Sequence, residues 1–452
     1  MPPASHVDAS PTKRFFVEML VRDIELAPAI IDLLDNAVDG AKRIRNSANA
    51  GKPKAPFAGL SVDLRIDAKR FEIVDNCGGI DPQTARTYAF RFGRPEGMAT
   101  THGEVGQFGV GMKRALFKIG RRFSVASSSA EGRFSVDVDV DDWVAKPKDW
   151  TFPMKGLAKA KPPTEPGTRL LVDGLHSSVR SDFGLDSFLS RVKSQIEMRH
   201  AIAMERGLEI RLNDAKLSPR APVLLLGDDI KPIVRRRQVA ANGDSVAMEL
   251  YAGFVTLRDE DADTDDPEKF KGSSRSGWYL FCNDRMLIWA DRGRLTGWGE
   301  EVARYHPQYR RFRGYVLLNG EAKYMPWNTA KTQVDEDNEV WRVVRGEMVD
   351  ALRQSVKAMN RIKREVEQRP VGDRPLVRAL KDAQAVRLSD LPSSRALDVP
   401  PTPKRISADT TTIKYAVPTA EFEKVSDRLD LGDAADVGRA TFRYYVRREI
   451  DV

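Results

Sequence analysis

AIIDLLDNAVDGAK, residues 29–42, is the stretch on which the fold turns. Ile30, Leu33, Leu34, Ala37 and Val38 recur at helical spacing, Pro28 suits a first helical turn, and Gly40 is expected near the helix end. Asp32, Asn36 and Asp39 fall at i, i+4 and i+7 and so share one face. Three acids and an amide in one short helix are costly unless something uses them. A magnesium ion carrying phosphates would, because it takes oxygen ligands and keeps several waters. A solvated acidic face is the alternative.

Three more motifs follow. SVDLRID and FEIVDN read as a hairpin that runs into CGGI, ending at residue 80. An aspartate closing a buried strand, Asp75, can accept a hydrogen bond from an exocyclic amine such as that of adenine, and Gly78 and Gly79 would let backbone approach a flat base. GQFGVGMKRALFKIG, residues 106–120, leads Gly106, Gly109 and Gly111 into a helix, which makes an anion cradle, with Lys113 as a point charge. GTRLLV, residues 167–172, is a strand opening with Thr168. Each has a plain alternative: a turn before a core helix, or an ordinary turn. Their joint order and separation point to one nucleotide site.

In that order the motifs resemble the Bergerat-type ATP-binding fold of the GHKL superfamily, which includes DNA gyrase B, the large heat-shock chaperone, MutL and the MORC ATPases. The resemblance covers residues 1 to about 175, and GQFGVG is similar to the chaperone and MORC branches. It implies an α+β fold: a Bergerat α/β sandwich with a mixed sheet covered by helices, then a transducer-like α/β domain and a helical C-terminal region. It implies ATP and Mg2+ as cofactors, with Asn36 coordinating the metal. Asp75 would bind the adenine amine, Gly79 would sit against the base, and Thr168 would help position the adenine through water. Gly106, Gln107, Phe108, Gly109, Val110 and Gly111 would line the phosphates with Lys113, and residues 82–105 would be the ATP lid.

Two departures shape the expected chemistry. Asp32 stands where the family carries a general-base glutamate, one methylene longer. A displacement of about 1 Å can cost about a hundredfold in rate, so an ATP hydrolase with slow turnover is predicted. Asp35 is expected to point elsewhere on the helix. Cys77 stands where the first glycine of D-x-G-x-G is usual; it is tolerated if its backbone avoids positive φ, and it reads as a small core residue rather than a redox group.

Beyond the first region the expected organisation is a nucleotide-binding domain over 1–190, a transducer-like domain over 191–340, a long helix over 341–369, a proline-bearing linker over 370–410 and a small module over 411–452. WYLFCNDRMLIWAD, residues 278–291, looks like the central hairpin of a transducer. By the same resemblance, Lys331 in PWNTAKT would reach the terminal phosphate as a catalytic group, and a surface lysine is the alternative. Closure on ATP, without hydrolysis, would then be the basic signal.

A net charge of +8 favours a polyanionic partner or simply solubility. Two cysteines cannot build a zinc site or a disulfide scaffold, no apolar run spans a bilayer, and no secretory signal opens the chain, so a cytoplasmic protein without membrane contact is expected. The acidic run from Asp259 to Glu268 lacks calcium-loop features. RYHPQYRRFRGY, residues 304–315, interleaves arginines with Tyr305, Tyr309 and Phe312, which suits phosphate contact with stacking, and Arg235–Arg237 forms a second basic cluster. Double-stranded DNA or a DNA-bound protein, and a nucleotide-dependent homodimer, are the expected partners. A chaperone-like, weakly hydrolysing module is the alternative. A histidine kinase would need an upstream phosphoacceptor, and His6 is the sole histidine there.

Overall fold

The computed structural model describes residues 11–22, 24–47, 55–93, 110–157, 165–219, 221–256, 275–328, 331–402 and 413–450. The chain divides into two compact units, Met1–Pro400 and Pro401–Val452.

The first unit opens with α1 (Lys13–Arg22) and α2 (Leu26–Ser47). Two alternating segments then form the hairpin β1 (Ser61–Ile66) and β2 (Phe71–Asp75), burying Val62, Leu64, Ile66, Phe71 and Ile73 on one side. Next come α3 (Pro82–Thr84), a π turn over Ala85–Ala89, and α4 (Gly111–Ile119). The antiparallel pair β3 (Arg122–Ser129) and β4 (Gly132–Asp139) leads to α5 (Val140–Val144), β5 (Met154–Gly156) and β6 (Gly167–Val172). Helices α6 (Ser177–Phe183), α7 (Asp186–Arg199) and α8 (Ala201–Glu205) precede β7 (Glu209–Leu212) and β8 (Ala215–Lys216).

Among the described residues these strands make one mixed sheet, ordered β5-β4-β3-β6-β2-β1-β7-β8. The apolar face of α2 packs with the sheet's inward side chains in one core. The sheet runs past the boundary expected at residue 190, because β7 pairs in parallel with β1 and draws the chain up to Lys216 into it.

The second sheet takes β10 (Ile233–Ala241), β11 (Asp244–Phe254), β12 (Gly277–Cys282), β13 (Arg285–Asp291) and β14 (Phe312–Asn319), after the short β9 (Val223–Leu226). Its order is β10-β11-β14-β12-β13. Every residue of β12 is buried, because both faces are covered. Trp278, Leu280 and Cys282 pack in the core shared with the 30-residue helix α9 (Glu339–Gln368), while Tyr279 and Phe281 pack with Ile202 of α8 and Leu224 of β9. The expected linker is corrected in its first part: α10 (Pro375–Asp382) buries Leu376, Ala379 and Leu380 in that core, and β15 (Gln384–Arg387) pairs with β9. Proline interrupts helices there without preventing packing.

The basic, aromatic segment is also corrected. Tyr309 and Phe312 are buried in the core against Trp298, with centroids 5.5 and 5.9 Å away, and the partly buried Tyr305 packs edge-on to the same ring at 5.5 Å, rather than forming a stacking surface. Arg235 pairs with Glu347 and Asp350, Arg236 with Glu249 and Arg237 with Glu347, so this cluster ties β10 to α9 and to its neighbour strand. Arg345 likewise pairs with Glu300 and Glu301.

The second unit holds α11 (Thr419–Leu429) and α12 (Ala434–Glu449), joined by a left-handed Asp430 and capped by Asp433. Tyr415, Phe442, Tyr444 and Tyr445 are exposed there. No helix among the described residues is long and apolar enough to cross a membrane, and the acidic run 259–268 lies outside them.

Candidate functional site

Helix α2 organises the site. From Ala29 to Lys42 every residue is buried except Asn36, which is exposed. Gly40 is not at the helix end, since α2 continues to Ser47. It is a contact point: a Cβ there would lie 2.4 Å from the Cys77 carbonyl oxygen, so its absence lets α2 seat against the turn after β2. One turn and more toward the N-terminus, a Cβ on Gly111 would lie 3.9 Å from Asp32 Oδ2, which sets the first turn of α4 beside Asp32. At 1.5 Å per residue, Asp32 and Gly40 stand about 12 Å apart along the axis, with the open Asn36 between them.

The turn after β2 is held from several sides. Asp75 pairs across the ladder with Thr168 of β6. Its Oδ1 accepts the Cys77 N–H at 2.8 Å. Poor solvation raises the Asp75 carboxyl to about 6, opposed by backbone hydrogen bonds from Cys77 and Thr168 and by the charge of Arg43. Gly79 has φ +69, and a Cβ there would meet the Ser128 carbonyl oxygen at 2.0 Å. The glycine is therefore required by strand β3 and by backbone geometry, whatever else its bareness serves. Cys77 is buried at 2% exposure and keeps out of the positive-φ region, which explains why a non-glycine is accepted; burial pushes its thiol pKa up.

Ser127 was not legible beforehand. It is fully buried, its Oγ accepts the Ile80 N–H at 2.7 Å, and it lies 3.1 Å from both the Gly167 carbonyl oxygen and Thr168 Oγ1. It fastens the glycine turn to the opening of β6. Its only signal was a run of serines in an alternating strand.

Of the glycine loop, Gly106, Gln107, Phe108 and Gly109 lie outside the described residues, as does the lid from residue 94 on; Val110 and Gly111 form the start of α4. Lys113, expected to meet phosphate, has a partner inside the domain. Its Nζ donates to the Ala89 carbonyl at 2.8 Å, it is 2% exposed, and burial lowers its pKa to about 7. The third position of α4 turns inward, toward the π turn.

Residues 24–164 match the family model described as histidine kinase-, DNA gyrase B- and HSP90-like ATPase. This segment is a GHKL-type ATPase domain. Domains of the class bind ATP with Mg2+. No curated protein matched the chain.

The second sheet touches the GHKL domain through the tip of the β12–β13 hairpin. Asn283 and Asp284 take φ of 49 and 66°, the tight turn whose twist suits paired strands. Asn283 is locked to Gly320 by two side-chain hydrogen bonds of 3.0 Å. Lys42 of α2 donates to the Asn283 carbonyl at 2.5 Å, and Arg206 pairs with Asp284. Arg285, 2% exposed, then places Nη1 2.9 Å from Asp32 Oδ1 and also on Asp35. Asp35 was expected to point elsewhere; as an i, i+3 neighbour of Asp32 it shares the guanidinium. Burial lowers the Arg285 pKa, with Asp32 opposing. His200 Nε2 lies 3.9 Å from Asp35, and burial holds its pKa near 3, so the ring is neutral.

Lys331 also reaches α2. It is 8% exposed, its Nζ lies 3.7 Å from Asp35 Oδ2, and its φ is +52. Burial and Arg285 lower its pKa to about 8, against the pull of Asp32 and Asp39. A surface lysine it is not.

No cluster of three acidic, histidine or cysteine side chains able to hold a metal occurs among the described residues. A magnesium ion brought by phosphates takes only one or two protein oxygens, and the exposed residue Asn36 carries a side-chain oxygen of the kind that could serve.

Proposed function

We propose that the chain is a slow Mg-ATPase whose nucleotide binding closes the GHKL domain against the second sheet. The observation that carries this is the meeting of three motifs on α2: Gly111 beside Asp32, the Asp75–Gly79 turn against Gly40, and the open Asn36 between. In this reading Asp75 accepts the adenine amine with Thr168 beside it, and Asn36 holds the metal. The metal would neutralise phosphate charge and orient the terminal group. The amides of Val110 and Gly111 at the start of α4, with Gly106–Gly109 before them, receive phosphates, and Asp32 orients and deprotonates water. Lys331, which reaches α2 from the segment between β14 and α9, supplies positive charge toward the terminal phosphate. Two copies would associate in the ATP state, and the assembly would act on DNA or a DNA-bound protein, which the net charge of +8 supports.

The Arg285–Asp32 pair favours a second reading, a nucleotide-gated interaction module that scarcely turns over. The deciding experiment is calorimetric binding of a non-hydrolysable ATP analogue, with and without magnesium, alongside phosphate release. Magnesium-dependent binding with measurable release supports the ATPase; binding without release supports the module; no binding ends both.

A further inference from the structure

Resting on the ATPase reading above, we propose that Arg285 is the positioning residue for Asp32. The two oxygens of Asp32 face different neighbours. Oδ1 receives Arg285 Nη1 at 2.9 Å, while Oδ2 is the carboxylate oxygen nearer the first turn of α4, 3.9 Å from where a Gly111 Cβ would stand, with the Asp32 Cβ at 4.0 Å. Binding one oxygen fixes the rotation of the carboxylate and leaves the other free on the side nearer α4, where phosphate would lie in that reading. An aspartate in place of a longer glutamate makes that orientation matter, since reach cannot be recovered by flexing.

The arm delivering the guanidinium is rigid. The hairpin turn is locked to Gly320 through Asn283 and to α2 through Lys42, and Arg285 is the first residue of β13. The arrangement is poor as a stability device. Arg285 Nε and Nη2 are buried without a hydrogen-bond partner among the described residues, and one Nη serves two carboxylates. A buried guanidinium using so few donors stabilises little, so placing Asp32 accounts better for its presence. The nucleotide site is then complete only when the second sheet is docked.

The test compares the full chain with Arg285→Lys, reading kcat for ATP and the Kd of a non-hydrolysable analogue. Lysine keeps the charge but not the planar donor that fixes the oxygen. The expected result is a kcat lowered at least tenfold with analogue Kd within about twofold, since a misplacement of about 1 Å costs about a hundredfold. If Arg285→Lys fails to fold, Arg285→Gln with Asp35→Asn, which removes one buried charge of each sign, is read the same way. An unchanged kcat overturns the proposal. A raised kcat also does, making Arg285 a restraint, as does a loss confined to Kd. If the unaltered chain neither binds nor hydrolyses ATP, the ATPase reading falls first.

Discussion

Asp75 and Thr168 stand directly opposite each other on β2 and β6, so the carboxyl at the end of one strand is framed by the backbone at the start of the other. The same framing strips it of water and raises its pKa to about 6. The folded value exceeds the ordinary 3.8, so ionisation costs stability. The cost is absent below pH of about 4, grows through the interval, and is complete above about 6. Asp75→Asn, which keeps an oxygen for the Cys77 N–H, is expected to stabilise the nucleotide-free protein by about 2–3 kcal/mol at pH 8 and by little near pH 4, in urea unfolding. The same variant should lose ATP-analogue binding. In the unaltered protein that affinity should fall as pH drops through about 6, because the acceptor becomes protonated.

Asn36 separates binding from folding. It is the exposed member of an otherwise buried run, so Asn36→Ala should leave Tm within about 1 °C. The expected loss is in magnesium dependence: analogue affinity should drop at least tenfold with the metal and little without it. Equal affinity to the unaltered chain in magnesium would remove Asn36 from the metal site.

Gly79 and Gly111 should behave oppositely. Gly79→Ala puts a side chain into positive φ and against the Ser128 carbonyl, and a loss of roughly 2–4 kcal/mol in urea unfolding is expected. Gly111→Ala meets nothing closer than 3.9 Å and should keep or slightly raise stability. Its cost should fall on nucleotide affinity, read by calorimetry.

The basic cluster on β10 offers a check on the DNA partner. Arg235 spends its guanidinium on Glu347 and Asp350 of α9. Arg235→Ala should lower unfolding stability by about 1–2 kcal/mol, allowing for partial exposure. Its affinity for double-stranded DNA, measured by fluorescence anisotropy, should stay within twofold of the unaltered chain. A tenfold loss would return this cluster to the nucleic-acid surface.

Light scattering with a non-hydrolysable ATP analogue and magnesium should report a doubling of mass over the nucleotide-free chain. A mass that does not change would remove self-association from the proposed cycle.

Local pattern carried much of the fold. The alternation in β1 and β2, the helical spacing of α2 and the heavily apolar 278–291 hairpin each set an element type that tertiary packing then kept. The places of Asp75, Asn36 and Thr168 on β2, α2 and β6 were legible because their motifs are short and contiguous. Arg285 was not, because its partners lie 253 and 250 residues away; its one trace was a cation just after Asn-Asp in an apolar hairpin. The burial of Lys113 was not legible because helix phase cannot say which side of a first turn is inward. Tyr309 and Phe312 misled because interleaved arginines and aromatics look alike on a stacking surface and on a strand whose aromatics are core.

The parallel pairing of β7 with β1 bears on how the protein can be dissected. A fragment ended at residue 190 would bare one long margin of β1, with its amides and carbonyls open to any passing chain, and such margins seed aggregation. It would also strand Asp35 without its two cations. Insolubility of that fragment would then reflect where the chain was severed and say nothing about whether the nucleotide half can work.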